Sequence, residues 1–263
     1  MNLNEGYMKN LSRITAGISP SWFKSWFDSS FYHQLYAHRS ETEAQCFIDN
    51  LIPLLEPSLQ AKMLDLGCGA GRHSKYLASK NFHVTGLDLA GSSIRQAQRS
   101  AGDNLQFYQH DMRVAFGKNY FDYVFNFFTS FGYFDSDDDD HKVVHNISQS
   151  LKPGGTLVMD YLNVAHVANN INPTEEKDID GIKYYIMRWM DEKHFFKKIT
   201  IDLRSDRPFE FTEKVAKLQV QDFEKMFRAN DLELQVIYGD YELNAFDIDQ
   251  SPRLIMIAKK QGA

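Results

Sequence analysis

Cysteine is nearly absent from this chain: among 263 residues there are two, Cys46 and Cys68. They lie on different elements and at no metal-ligand spacing, which excludes a disulfide framework and points to a reducing compartment. No apolar run approaches the ~20 residues that a membrane span requires. The opening Met1-Asn2-Leu3-Asn4-Glu5-Gly6 has neither the basic nor the apolar stretch of a secretory signal, so a cytoplasmic location is expected. Positive charge is in deficit as well: 29 Lys and Arg against 35 Asp and Glu give a formal net charge of -6. That total disfavours a broad phosphate-binding surface, and with it a nucleic-acid partner, while leaving room for a local basic patch. No metal is expected. What remains is ordinary for a globular protein, with 43% hydrophobic and 24% charged residues, enough for one large domain or one domain carrying an insertion.

The most informative stretch is Met63-Leu64-Asp65-Leu66-Gly67-Cys68-Gly69-Ala70-Gly71-Arg72-His73. It reads as a buried strand, a glycine turn and a helix start. Glycine there permits φ > 0 and removes side chains where a ligand must approach backbone. A second strand, His83-Val84-Thr85-Gly86-Leu87, ends in Asp88. An acidic residue about 20 positions beyond such a loop is placed to accept hydrogen bonds from ribose hydroxyls. Together these residues define a site for a nucleoside-containing cofactor. A dinucleotide loop needs a third glycine where Arg72 stands, and a carboxylate at Asp65 repels a pyrophosphate but suits a cation.

Alternating strand and helix patterns follow. Strands are expected at Lys62–Leu66, His83–Leu87, Leu105–Gln109, Phe121–Phe125 and Thr156–Tyr161, with helices at Arg72–Lys80, Ser92–Ser100 and Asp137–Leu151. The alternation predicts an α/β fold with a doubly wound, mainly parallel sheet. Lys152-Pro153-Gly154-Gly155 reads as a turn, and Asp137-Asp138-Asp139-Asp140 as a solvated helix start. An earlier helix is expected from Glu41, capped by Ser40 with Glu43, and ended by Pro53 or Pro57. Between Gly181 and Leu218 the pattern turns to β-rich segments at Ile182–Met190, His194–Arg204 and Phe209–Leu218. These predict a small inserted antiparallel sheet with one wet face. Helix Gln221–Ala229 and strands Glu233–Tyr238 and Arg253–Lys259 complete the pattern. Before residue 40, aromatics recur at helical spacing from Trp22 to Tyr36, as expected of a cap packed on the core or of a lid over a pocket.

Asp65-Leu66-Gly67-Cys68-Gly69-Ala70-Gly71, then Asp88, Asp111 and Lys152-Pro153-Gly154-Gly155 in that order, closely resemble the motifs of class I S-adenosylmethionine-dependent methyltransferases. The resemblance covers residues 45–165 and resumes near the C-terminal end. It implies a Rossmann-like, seven-stranded, mainly parallel sheet whose last two strands form a reversed hairpin at one edge. It implies S-adenosyl-L-methionine as cofactor and S-adenosyl-L-homocysteine as its product. It also divides the chain: a helical cap or lid over 1–40, a cofactor-binding domain over 41–163 and 219–263, and a β-rich insertion on the substrate side over 164–218.

The resemblance further assigns residues. Asp65, Gly67 and Gly69 would surround the methionine part, with Cys68 a small filler in that loop. Asp88 would hold the ribose and Leu89 cover the adenine, while Asp111 and the Met112 N–H would read its edge. Asn126 and Phe127, also assigned to the cofactor, follow the fourth strand, where amino-group methylases of nucleic acids carry two prolines that this chain lacks. That absence favours a small-molecule acceptor. Candidates for the acceptor pocket are Tyr32, Tyr36, Arg39, Phe128, Tyr161, Tyr241 and Arg253. Arg253 suits a substrate carboxylate or a structural ion pair. His110, Asp160 and Tyr161 are candidate bases, and no catalytic residue is assigned, because methyl transfer from an activated donor does not oblige one.

The expected activity is methyl transfer to an N, O or S atom of a small molecule. The alternatives are an RNA or protein methyltransferase, for which Lys193, Lys197, Lys198 and Arg204 would supply a basic face, and a non-catalytic module that binds the same cofactor. The missing third glycine and Asp65 disfavour a nicotinamide-dependent oxidoreductase. Monomer and homodimer stay open.

Overall fold

The computed structural model describes residues 14–37, 41–203 and 208–262. After a helical turn at residues 14–16 come the short helices α1 (Trp22–Phe27) and α2 (Ser30–Leu35), then α3 (Glu41–Leu55). The alternating part follows as β1 (Lys62–Leu66), α4 (Arg72–Ser79), β2 (His83–Asp88), α5 (Gly91–Ala97), β3 (Leu105–Gln109), β4 (Phe121–Asn126), α6 (Asp137–Ser150) and β5 (Leu151–Leu162). Next come α7 (Val164–Asn169), β6 (Thr174–Ile179), β7 (Ile182–Met190), β8 (His194–Asp202) and β9 (Phe209–Ala216). The chain closes with α8 (Val220–Arg228), β10 (Leu232–Tyr238) and β11 (Arg253–Lys260).

Two sheets result. The larger has seven strands in the order β10-β11-β5-β4-β1-β2-β3. Its pairs from β5 to β3 are parallel, and β11 runs antiparallel to both β5 and β10. Successive side chains of a strand face opposite ways, and here both faces are buried. Met63, Phe125, Val158 and Ile257 pack with Phe47, Leu51, Leu77 and Ile94 of the helices on one face. Leu64, Val124, Leu157 and Met256 pack with Val143, Ile147, Phe223 and Phe227 on the other. Double burial explains the nearly continuous apolar strands, as in parallel sheets covered by helices.

The smaller sheet has four antiparallel strands in the order β6-β7-β8-β9. Tyr184, Ile186, Ile199 and Ile201 on its inner face join the core that holds Trp22, Phe23, Trp26 and Leu35. The cap helices are thus wedged against the inserted sheet. A backbone bond from Ala216 N–H to Gly132 O at 2.8 Å fastens the end of β9 to the loop after β4.

Several local expectations are corrected. The turn expected at residues 152–155 lies inside β5 and not before it: the register on β4 jumps from Phe121↔Leu151 to Tyr123↔Thr156. The extra residues form a bulge, with Gly154 at φ +76°. Pro53 does not end α3, which continues to Leu55 because Phe47, Ile48 and Leu51 anchor it in the core. Ser40, its expected cap, lies outside the described residues. The aspartate run is not wholly solvated. Ser136 caps α6 by accepting from Asp138 N–H, and one turn later Asp140 is buried. Sequence patterning missed β6 and α7. β6 reads Thr-Glu-Glu-Lys-Asp-Ile, an edge strand whose charged residues hide its period.

Candidate active site

The strand order reverses between β1 and β4, the place where open α/β sheets bind ligands beyond their strand ends. A cavity of about 650 Å³ lies there. Its wall is drawn from the segments after β1, β2, β3 and β4, from the cap helices, from β9 and from the start of β11.

The glycine loop is shaped by what crowds it. Gly67 has φ +81°, and a Cβ on it would lie 2.6 Å from Ser130 Cβ. Gly71, just before α4, has φ +80° and would place a Cβ 2.6 Å from the Phe107 ring. At Gly69 the space is open, with no atom within 4 Å of an added Cβ. The Gly69 N–H donates to Asp88 Oδ2 at 2.8 Å, and the Ala90 N–H donates to Oδ1 at 2.8 Å. Burial raises the Asp88 pKa while these backbone donors oppose the rise. Each Asp88 oxygen keeps a lone pair for a further donor.

Gly67, Cys68, Gly69, Asp88, Leu89, Asp111, Met112 and Phe127 all border the cavity. Burial pushes the Cys68 thiol up, so it fills space rather than reacts. Asp111 receives the Arg113 guanidinium fork at 3.0 Å from Nε and 2.7 Å from Nη2. That ion pair holds its carboxyl below the usual range. Arg113 also reaches Asp139 at 3.0 Å, which fixes the loop after β3 against α6.

Two residues expected at the cofactor stand behind the wall instead. Asp65 is 1% exposed and takes the Ser74 hydroxyl at 2.5 Å. Burial pushes its carboxyl up to about 6. It joins the end of β1 to the first turn of α4. Asn126 is fully buried, its amide donating to Leu66 O at 2.8 Å and Ser130 O at 3.3 Å, with Oδ1 left without a partner. It pins the loop after β4 to the glycine loop.

That loop is strained. Phe128 and Thr129 are consecutive non-glycine residues at φ +59° and +58°. Such conformations persist only where the surroundings hold them. Asp160 does so: its carboxylate accepts from Phe128 N–H at 2.7 Å and its carbonyl from Thr129 N–H at 2.9 Å. The same carboxylate takes the Tyr241 hydroxyl at 3.0 Å and Arg253 Nε at 2.7 Å. With every oxygen engaged, Asp160 is a brace and not the base that the sequence offered. The Phe128 ring lies between two guanidinium groups, Arg72 at 5.4 Å and Arg253 at 5.6 Å.

Of the expected acceptor-pocket residues, Tyr32, Tyr36, Phe128 and Arg253 border the cavity. Tyr161 and Tyr241 do not. Tyr161 is buried with its hydroxyl on Ala216 O at 2.7 Å, and Tyr241 spends its hydroxyl on Asp160. Arg39 lies outside the described residues. His73 borders the cavity, but burial pushes it down to about 3, so it is neutral at ordinary pH. His110 also borders it and pairs with Val114 O at 3.0 Å.

Sequence reasoning missed Glu213. It accepts the Trp26 indole N–H at 2.7 Å and the Tyr36 hydroxyl at 2.8 Å, and the Lys197 ammonium donates to that same hydroxyl. The period of β9, which puts Phe211, Glu213 and Val215 on one face, was the available signal. Nothing local revealed that this face meets the cap.

The residues present fit S-adenosylmethionine. Open space at Gly69 faces the half-buried carboxylate of Asp88, and aromatic rings border the cavity where a sulfonium would gain from their faces. Among the described residues no group of three or more His, Cys, Asp or Glu is placed to hold a metal ion.

Comparison with known proteins agrees. Residues 63–155 match the family model described as a methyltransferase domain. A candidate methyltransferase of Bacillus subtilis (strain 168), YqeM, is 27% identical over 242 residues, covering 88% of this chain and 95% of its own length. An S-adenosylmethionine-dependent methyltransferase from Clostridium acetobutylicum ATCC 824 shares the fold at TM-score 0.73 and 20% identity, over 88% of this chain and 96% of its own. CalS10, an amino pentose methyltransferase from Micromonospora echinaspora solved with S-adenosylmethionine bound, does so at TM-score 0.67 and 20% identity, over 89% and 98%. Residues 63–155 carry a methyltransferase domain, and the chain shares the fold of the class I S-adenosylmethionine-dependent methyltransferases. It is an enzyme of that class with S-adenosylmethionine as its cofactor.

Proposed function

We propose that the enzyme methylates an N, O or S atom of a small molecule held beneath the cap. The observation that carries this reading is the roof of the cavity, where Tyr36 of α2 and Glu213 of β9 meet at 2.8 Å. A roofed space of about 650 Å³ falls in the range of about 300–1,000 Å³ typical of small-molecule pockets. In this reading residues 41–163 and 219–263 hold the cofactor, and the cap over 1–40 and the insertion over 164–218 shape the acceptor side. The names of the amino pentose enzyme CalS10 and of a Streptomyces venezuelae amino-sugar N,N-dimethyltransferase, 27% identical over 100 residues, support it.

S-adenosylmethionine supplies a methyl group already activated by its sulfonium charge. The chain's own part is placement. Asp88 accepts the ribose hydroxyls, and Gly67 and Gly69 leave room for the methionine part. Asp111, Met112 and Leu89 enclose the adenine. Phe127 and Phe128 border the reacting centre and exclude water from it. Tyr32, Tyr36 and Arg253 face the acceptor.

The basic face that an RNA substrate needs finds little support among the described residues, where of the four candidates Lys193 alone stays exposed. Lys197 turns inward to Tyr36, Lys198 pairs with Glu210 at 2.7 Å, and Arg204 lies outside the described residues. No helix among the described residues is long and apolar enough to cross a membrane, and the free thiols Cys46 and Cys68 support a cytoplasmic setting.

The test is to incubate the protein with methyl-labelled S-adenosylmethionine and a cell extract split by dialysis. Label entering the dialysable fraction, and lost with Asp88→Ala, is the expected result. Label in RNA or protein instead would overturn the small-molecule assignment.

A further inference from the structure

Arg253 is only partly spent by its ion pair. Nε and Nη2 both reach Asp160 Oδ1 at 2.7 Å, and Nη2 donates to Thr129 Oγ1 at 2.9 Å. Nη1 has no partner among the described residues, yet it is not among the sealed atoms left unsatisfied. The residue borders the cavity, and its guanidinium lies over the faces of Phe128 and Tyr241 at 5.6 and 5.8 Å. A guanidinium held this rigidly loses little freedom on taking a further acceptor.

Its strand lies apart from those that carry the glycine loop and Asp88, although its guanidinium shares the Phe128 ring with that of Arg72, which follows the glycine loop. β11 stands three strands from β1 and four from β2, or roughly 14 and 19 Å at ordinary strand spacing. Leu162 and Val215 border the same cavity. The pair with Asp160 is neutral overall, and Glu213 is a further negative group on the wall, so a singly charged anion suits this end better than a phosphate.

We infer that Arg253 is a specificity-determining residue: its Nη1 edge binds a carboxylate carried by the acceptor, and Asp160 positions it. This rests on the small-molecule reading above. The acceptor is then an acid whose carboxylate docks beside the strained Phe128–Thr129 turn, with its nucleophilic atom directed toward the cofactor side.

The test uses the whole protein saturated with S-adenosylhomocysteine and titrated calorimetrically with benzoate, with inorganic phosphate in parallel. Wild type binds benzoate in preference to phosphate. In Arg253→Lys, whose ammonium keeps the Asp160 pair but has no second edge, benzoate binding weakens by about tenfold or more. Affinities for S-adenosylhomocysteine and for 5′-methylthioadenosine, which lacks the amino-acid carboxylate, stay within about twofold of wild type. If S-adenosylhomocysteine weakens tenfold while 5′-methylthioadenosine does not, Arg253 holds the cofactor's own carboxylate and the inference fails. It also fails if wild type does not bind benzoate, if phosphate binds equally well, or if Arg253→Lys changes nothing. Should Arg253→Lys not fold, Asp160→Asn with Arg253→Gln, a neutral pair of similar shape, replaces it in the same titration. Failure here leaves the small-molecule reading standing, since that reading is tested by where the methyl label goes.

Discussion

The Gly69 N–H and the Asp88 carboxylate meet at 2.8 Å across 19 positions of sequence, so the glycine loop and the proposed ribose acceptor are one unit. Asp88→Ala removes the carboxylate and with it the bond that holds the loop. It is expected to weaken S-adenosylhomocysteine binding by ~1.5–3 kcal/mol, the loss typical of a hydrogen bond to a charged group. Calorimetric titration decides it, and an unchanged affinity would sink the ribose placement.

Glu213 collects donors from both cap helices, Trp26 in α1 and Tyr36 at the end of α2. Trp26 is 1% exposed, so Glu213→Ala strands a buried indole N–H and is expected to cost ~1–3 kcal/mol of stability. Tyr36→Phe loses both the bond to Glu213 and the one from Lys197 and is expected to cost ~1–3 kcal/mol. Urea unfolding of the single and double variants should show less than additive loss, since the two groups share one contact. Full additivity would mean that they do not interact.

Gly71 and Gly154 separate steric crowding from backbone strain. Both have positive φ, +80° and +76°, but an added Cβ meets Phe107 at 2.6 Å at the first and nothing within 4 Å at the second. Gly154→Ala should cost ~1–2 kcal/mol for the left-handed backbone alone. Gly71→Ala should cost a further ~1–3 kcal/mol for overpacking. Denaturant midpoints give the comparison, and equal losses would show that Phe107 yields freely.

Asp140 makes stability depend on pH. Burial pushes its carboxyl from the ordinary 3.8 up to about 7, and its Oδ1 has no partner. The folded state therefore holds this proton more tightly than the unfolded chain. The stabilisation is fully present below about pH 4 and is lost as pH rises through about 7. Asp140→Asn does not titrate and can keep the bond from Gly132. Relative to wild type it should gain on the order of 2–3 kcal/mol between about pH 5 and about pH 8. A constant difference between the two proteins across that range would rule the titration out.

The glycine-loop side of the cavity was legible because its signals are local. Met63 to His73 encode strand, turn and helix in one run, and Asp88 ends the next strand at the expected distance. The acceptor side depends on contacts that no window contains. Tyr36 and Glu213 are 177 positions apart, and Arg253 and Asp160 are 93 apart. Asp160 looked like a candidate base because the sequence shows a carboxylate near the crevice but not the donors converging on it. Likewise Lys197 read as part of a basic face, until its strand partner Glu213 and the cap turned it inward.

β11 lies between β10 and β5 in the sheet yet follows both along the chain. During synthesis, β5 must therefore wait as an open edge until residues 253–260 emerge. Its Val158, Met159 and Tyr161 end up fully buried, and an apolar edge of that kind invites pairing with other chains. A ribosome stalled before Arg253 would hold a finished glycine loop beside an unprotected edge. The strand that later covers this edge is also the one that delivers Arg253 to Asp160, so protection from aggregation and completion of the cavity wall arrive in a single folding event.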